Sequence, residues 1–311
     1  MERGPPNMTV SPTPEHRVHD SENSTKSSSG SLNFAAWLNI LSLLIALLGL
    51  VGNCAVLWLL GFRIRRTPFT VYILNLAAAD ALLLCFYFLI SINSYFRYFF
   101  DHLTRDILSF LTSMYYTAGL SLLAAISTER CLSTLFPIWY RCHRPKHTSA
   151  AVCAVLWALA GMFTITYIFL SHEIRFIIYA GYFLLLMCVM CVSSLTLLLR
   201  VQCSSRRRQP PRLYLLVLLT VLVFLLCGLP WGIWSTLSSH FHVDLMHFHL
   251  LQLLVCVNSS VNPLIYFFVG RLGNKGRQPL KVVLQRALGD EQELGDETTN
   301  TPHISSQETS F

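Results

Sequence analysis

Apolar residues gather into seven long runs, separated by short polar or basic connections: Phe34–Phe62, Phe69–Phe96, Ile107–Thr128, Thr148–Ser171, Phe176–Leu199, Leu213–Ser239 and Leu250–Gly270. Each holds the roughly 20 residues that a helix needs to cross about 30 Å of hydrocarbon. Only helices and closed barrels satisfy their own backbone in lipid, and the runs are continuous rather than alternating, so they read as helices. Short connections predict antiparallel neighbours. The expected fold is therefore all-α and integral to the membrane: a seven-transmembrane helix bundle over residues 32–270.

Polar stretches flank the bundle. Residues 1–31 are rich in Ser, Thr and Pro without an apolar core, which predicts a disordered extracellular tail rather than a signal peptide. After the seventh run, residues 271–289 contain LKVVLQRAL, which puts Leu280, Val283, Leu284 and Ala287 on one helical face. This predicts a short amphipathic helix on the membrane surface, against lipid. Residues 290–311 are acidic and then Ser/Thr-rich, and read as a disordered cytoplasmic tail.

Composition agrees with this reading. The chain is 53% hydrophobic and 13% charged, against roughly 25% charged in a soluble domain. Of its 23 Lys and Arg, 17 fall in the first, third and fifth connections and after the seventh run. The side rich in Lys and Arg faces the cytoplasm, so a multi-pass plasma-membrane protein is expected, N-terminus outside and C-terminus inside. Two glycosylation triplets, at Asn7 and Asn23, agree. The basic clusters belong to membrane-adjacent ends, and no nucleic-acid partner is expected. The 10 cysteines lie within apolar runs or near the basic connections, so they read as packing residues and reduced thiols rather than a disulfide framework.

A few polar residues interrupt the runs. Asp80 is the only acid deep in one, and a charge there is a functional hypothesis by default. Its expected partners are Asn53 in the first run and Asn258, Ser259 and Asn262 in the seventh. Pro230, beside Gly228, and Pro263 each remove a backbone donor and should kink the sixth and seventh helices. Two kinked helices beside a polar centre suit a bistable element. At the end of the third run an acid–base pair, Glu129-Arg130, precedes Pro137-Ile138-Trp139-Tyr140 and a basic cluster. That pattern suits a helix surfacing from the membrane.

These residues carry a resemblance. Gly52-Asn53, Leu76-Ala77-Ala78-Ala79-Asp80, Glu129-Arg130-Cys131, Trp157, Cys227-Gly228-Leu229-Pro230 and Asn262-Pro263-Leu264-Ile265-Tyr266 resemble the fingerprints of rhodopsin-like G-protein-coupled receptors. The variants ERC, FPIWYRCHRPKH, FLLCGLPWG, VNSSVNPLIYFFVG and LKVVLQRALGDE look like the Mas-related receptor family, with features of its X subfamily. The resemblance implies a receptor rather than an enzyme, with no cofactor. It implies an extracellular peptide or small amphiphilic ligand, and coupling to a heterotrimeric G protein (Gq/11, with Gi as a second partner) in sensory neurons or mast-cell-like cells. Glu129 would hold Arg130 at rest, and Pro137 and Ile138 would insert into the Gα subunit. Asn53, Asp80, Asn258, Asn262, Pro263, Tyr266, Phe224, Gly228 and Pro230 would form the activation core. Gly119 stands where many such receptors carry a Ser that helps hold sodium, and Gly228 replaces the usual Trp of the sixth helix.

The outer face departs from the family. Arg105 occupies the place of the common cysteine of the third helix. The acidic pair that meets cationic ligands in some X-type members falls at Tyr167 and Phe176, and Thr112 stands where amine receptors carry Asp. The mouth candidates are Tyr95, Thr112, Tyr116, Tyr167, Trp231 and Trp234, with Glu173 and Asp244 as remaining acids. His240, His242, His247 and His249 form a Zn²⁺ or pH-sensing alternative to a plain polar loop.

The C-terminal Thr309-Ser310-Phe311 fits a PDZ ligand. Thr298, Thr299, Thr301, Ser305 and Ser306 suit receptor kinases and arrestin. A photoprotein would need a lysine in the seventh helix, where Cys256 stands, and a transporter would show internal repeats. A non-signalling or decoy receptor-fold protein is the remaining alternative.

Overall fold

The computed structural model describes residues 19–95, 101–145, 147–203, 211–237, 245–272 and 278–288, and among them every regular element is helical. The helices are α1 (His19–Trp58, running on as a π turn, Leu59–Arg63), α2 (Pro68–Tyr95), α3 (His102–Leu135) and α4 (Pro137–Cys142). They continue as α5 (Thr148–Phe169), α6 (His172–Cys203), α7 (Pro211–Val223, with a π turn at Phe224–Gly228), α8 (Leu229–Leu237), α9 (Leu245–Arg271) and α10 (Leu280–Ala287). Seven helical spans among the described residues are long and apolar enough to cross a membrane, with α7, its π turn and α8 forming the sixth. Helix α1 opens at His19, inside the stretch expected as a tail. Once an apolar helix has nucleated, each added residue costs little.

Local chemistry sets the ends. The Asp101 carboxylate caps α3 by accepting from the Thr104 amide at 3.3 Å and from the Thr104 hydroxyl. These bonds hold its pKa below the usual carboxylate range. Pro137 opens α4, where its missing N–H leaves nothing unsatisfied.

Helix α3 is the central pillar. It packs on α2, α5, α6 and α7, and its stretch from Thr117 to Ala124 is wholly buried. Around it Leu76, Leu122, Met190, Leu216, Phe224 and Tyr266 fill one continuous core. Lipid tails are as apolar as these side chains, so close packing and hydrogen bonds, rather than hydrophobic transfer, hold the helices together. The α1–α9 contact shows how. A Cβ on Gly49 would stand 2.0 Å from Ser260 Oγ, and one on Gly52 would stand 3.2 Å from Pro263 Cβ. Ser260 Oγ donates to the Ile45 carbonyl across this seam at 3.1 Å.

The two prolines behave differently. Pro230 cannot donate, and the turn before it loosens into π geometry, with the Leu229 N–H reaching back to the Phe224 carbonyl. Pro263 lies inside α9, which continues through it as one helix. The four apolar residues of the amphipathic α10 divide. Val283, Leu284 and Ala287 are buried, while Leu280 is exposed. The buried three pack on the bundle, chiefly on α9. Gly270 permits this, since a Cβ there would stand 2.0 Å from the Val283 carbonyl oxygen.

Candidate functional site

Three zones lie along the bundle. Farthest from the Arg130 end, a cavity of about 680 Å³ opens between α2, α3, α6, α8 and α9. Four of the mouth candidates line it: Thr112 and Tyr116 from α3, and Trp231 and Trp234 from α8. The tryptophan rings pack at 5.1 Å between centroids, and Phe248 of α9 closes on Trp234 at 5.4 Å. Phe248, Gln252, Tyr179 and Tyr182 also line the cavity. Sequence reasoning missed them because nothing local separates a cavity-facing aromatic from a packing one. Glu173 stands exposed in the first turn of α6, apart from the described lining.

Several expected residues fall wholly or partly outside the described residues. Asn7, His240, His242, Asp244 and Thr309 to Phe311 lie outside them, as do the tail's phosphorylation candidates. Only the helical backbone is described for Asn23, Tyr95, Tyr167 and His247. His249 is half-buried against Phe248, with ring centroids 5.8 Å apart. Among the described residues no three His, Cys, Asp or Glu side chains converge as a metal site would require. The described cysteines are free thiols.

At the cavity floor, the Tyr116 hydroxyl donates to the Gly228 carbonyl at 2.8 Å. The Gly232 amide donates in turn to the Tyr116 hydroxyl oxygen. The phenol thus stands between the amide and the carbonyl that an unbroken α-helix would join directly. Gly228 has little room for a side chain, because a Cβ there would lie 2.7 Å from the Phe224 ring and 3.4 Å from Asn258 Oδ1. Phe224 is fully buried below it.

The second zone is polar and sealed. Asp80, Asn53, Asn258 and Asn262 are all buried. Asn262 Nδ2 donates to Asp80 Oδ2 at 2.7 Å. Asn53 Nδ2 donates to the Gly49 and Ser259 carbonyls, each at 3.0 Å, and so ties α1 to α9. A Cβ on Gly119 would lie 3.8 Å from Asp80 Oδ1. Tyr266 is buried one turn beyond Asn262. Trp157 donates from Nε1 to Asn75 Oδ1 at 3.0 Å, anchoring α5 to α2.

The third zone is the basic end. Glu129 is buried, and its Oε1 sits 2.5 Å from the Arg144 guanidinium and accepts from the Tyr140 hydroxyl at 2.7 Å. Arg144 also donates to Ser149 Oγ at 2.6 Å. Burial, and the proton shared with Glu129, push the Tyr140 phenol above its ordinary pKa. The Arg130 guanidinium lies over the Phe69 ring, 3.3 Å from its centroid. Sequence reasoning named Glu129 and Arg130 but missed that Arg144 and Tyr140 fold back onto the acid. Beside this knot, α4 leaves Phe136, Pro137, Ile138 and Trp139 exposed, with Ile138 at 77%.

Comparison with known proteins bears on all three zones. Residues 52–177 match the family model described as 7 transmembrane receptor (rhodopsin family). The chain is 48% identical over 275 residues to Mas-related G-protein coupled receptor member X2 of Hoolock hoolock, covering 82% of this chain and 83% of that one. It is 47% identical over 276 residues to member X1 of Homo sapiens, covering 83% and 85%. It is 42% identical over 306 residues to member X1 of Mus musculus, covering 92% and 95%.

Proposed function

Since the chain belongs to the Mas-related family of rhodopsin-like G-protein-coupled receptors, a multi-pass plasma-membrane family of receptors rather than enzymes, we propose that it binds an extracellular ligand in the cavity. The signal passes to a heterotrimeric G protein at the basic end, with Gq/11 as the principal partner and Gi as a second. In this reading the N-terminus is outside, Arg130 meets the G protein once released, and the exposed Pro137 and Ile138 dock on Gα. Receptor kinases and arrestin act on the C-terminal tail, and a PDZ domain takes Thr309–Phe311.

The observation that carries this reading is the Tyr116–Gly228 hydrogen bond. It joins a cavity-lining side chain to the π turn of the sixth span. π turns inside α-helices are frequent at functional sites, and this one gives cavity occupancy a direct mechanical route into α7. At the far end of α7 stands the surface where α3 and α4 present Arg130 and Ile138.

The test is calcium release in cells expressing the wild type or Arg130→Ala at equal surface density, challenged with basic peptides, neutral peptides and neutral aromatic amides. A wild-type response lost in the variant is expected. Silence to every challenge, with no ligand-independent nucleotide exchange on purified Gq or Gi, would overturn the reading in favour of a non-signalling receptor-fold protein.

A further inference from the structure

The chemistry of the cavity wall narrows the ligand. Among the described lining residues there is no Asp, Glu, Lys, Arg or His. Phe176 and Thr112 are among the uncharged residues of this wall. An ammonium brought into such a wall would lose its water and gain no counter-ion, a far larger cost than burying an amide that keeps a hydrogen bond.

The polar groups in the wall are mostly engaged already. Thr112 donates to the Leu108 carbonyl at 2.8 Å and Thr117 to the Ser113 carbonyl at 2.9 Å. Tyr116 donates to Gly228 at 2.8 Å and Tyr179 to the Phe163 carbonyl at 3.0 Å. Ser121 gives its proton to the Thr117 carbonyl at 2.7 Å, so Tyr182, 2.6 Å away, is the donor of that pair. Five hydroxyl protons therefore point into the protein rather than the cavity. The Gln252 carboxamide lines the wall without a hydrogen bond among the described residues. It is the group best suited to orient a guest, since it both donates and accepts. Ser109, Ser113 and Cys256 also line the wall, the Tyr87 hydroxyl and Trp234 Nε1 are buried there without a hydrogen-bond partner among the described residues, and the rest is aromatic and aliphatic.

From this wall, and resting on the receptor reading above, we infer that the cavity takes an uncharged, mainly apolar ring compound carrying one amide- or carbonyl-like group for Gln252, rather than a cationic peptide side chain or amine. A wall of aromatic faces and mostly engaged hydroxyls offers shape and dispersion contacts, while the Gln252 carboxamide fixes orientation. The cavity, about 680 Å³ in volume, holds a fused-ring molecule with room for a short substituent.

The test uses the full-length receptor in phosphatidylcholine nanodiscs and three probes that share an anthracene ring: anthracenylmethyl acetamide, anthracenylmethyl ammonium and anthracene acetate. Energy transfer from tryptophan to anthracene reads binding. The acetamide should bind at least about 10-fold more tightly than either ion. Thr112→Asp should reverse the preference toward the ammonium, with Gln252→Glu as the second variant should Thr112→Asp fail to fold. Ser113→Trp should fill the cavity and abolish acetamide binding. Glu173→Gln, on the exposed first turn of α6 and apart from the lining, should leave the wild-type preference unchanged.

Ammonium binding equal to or tighter than acetamide binding in the wild type would overturn the inference. So would a preference that shifts with Glu173→Gln, acetamide binding that survives Ser113→Trp, or the absence of saturable binding by any probe. Failure of the receptor reading is seen separately. Ligand-independent nucleotide exchange on Gq and its loss in Arg130→Ala need no probe, so a receptor that signals but fails the probe series loses only the ligand class.

Discussion

Glu129 at the end of α3 and Arg144 beyond α4 meet at 2.5 Å, with the side chains 9% and 5% exposed. Pairing an acid with a cation this deeply is far from a surface ion pair. Removing one partner strands the other, at roughly 3–5 kcal/mol. Arg144→Ala should therefore lower the thermal unfolding temperature sharply, and adding Glu129→Gln should recover much of the loss. Equal loss in the single and double variants would show that packing, not charge, is at stake. Arg144→Lys should fall between, since it keeps the charge but not the planar fork.

The same knot predicts an alkaline response. Tyr140 is held protonated above its ordinary value by burial and by the Glu129 carboxylate that accepts its proton. A raised pKa means that the folded state binds this proton more tightly than the unfolded one. Its contribution is present in full below about pH 10 and is lost as pH rises through the folded-state value. Unfolding temperature above about pH 10 should fall more steeply in the wild type than in Tyr140→Phe. Parallel curves would remove Tyr140 from the account.

These two residues also show where the sequence stops being readable. The seven spans follow from run length and the absence of charge, and the Asp80–Asn262 contact follows from the cost of polar groups in lipid. Arg144 and Tyr140, by contrast, sit in a cluster of cations and aromatics, any of which local sequence would leave in water. Which one turns back on Glu129 depends on the path of α4, a tertiary fact. Pro230 was legible as a helix disturbance, but whether the chain would bend or widen into a π turn depends on Phe224 and Tyr116 packed against it. The apolar face of α10 was legible, but its partner was not, because the close approach at Gly270 depends on how two distant backbones meet.

Glycines divide cleanly by what a methyl group would meet. At Gly49 a Cβ would stand 2.8 Å from the Ser260 backbone, and at Gly270 2.0 Å from the Val283 carbonyl oxygen. Neither obstacle is the far end of a flexible side chain. Gly49→Ala should separate α1 from α9, and Gly270→Ala should undock α10; each should cost about 1–3 kcal/mol. Gly181 faces open space within α6, and Gly181→Ala should stabilise by about 0.4–1 kcal/mol through reduced chain entropy. Thermal unfolding in one detergent ranks all three, and a stabilised Gly270→Ala would contradict the packing described for α10.

Across the polar core, Asn262 donates to Asp80 while Asn53 donates to two carbonyls on different helices. Asn262→Ala removes one of the donors to a buried carboxylate, Ser259 being another, and Asn53→Ala leaves the Ser259 carbonyl of α9 without that bond. Each should lose about 1–3 kcal/mol. Asp80→Asn in the Asn262→Ala background should restore part of the first loss, because it removes the charge that needed the donor. It should restore nothing to Asn53→Ala, whose bonds are to backbone. Thermal unfolding of the two double variants reads the difference directly.

The Tyr116 hydroxyl stands between the Gly228 carbonyl and the Gly232 amide. Tyr116→Phe keeps the ring and removes only this bridge. The amide and carbonyl must then either close on each other, tightening the turn, or remain apart with both unsatisfied at about 1–3 kcal/mol each. Pro230 lies between them and a π turn precedes it, so the backbone there cannot tighten without shifting Phe224. The second outcome is therefore expected. The tie between α3 and α8 is lost, hydrogen exchange at Gly232 to Trp234 accelerates, and the sixth span moves more freely. Ligand-independent nucleotide exchange on the G protein should rise by roughly twofold or more, a small shift of a two-state equilibrium. Faster amide exchange without a change in nucleotide exchange would make the bridge a local staple. Slower amide exchange would mean that the amide and carbonyl had closed on each other, leaving Tyr116 as the residue that holds the turn open.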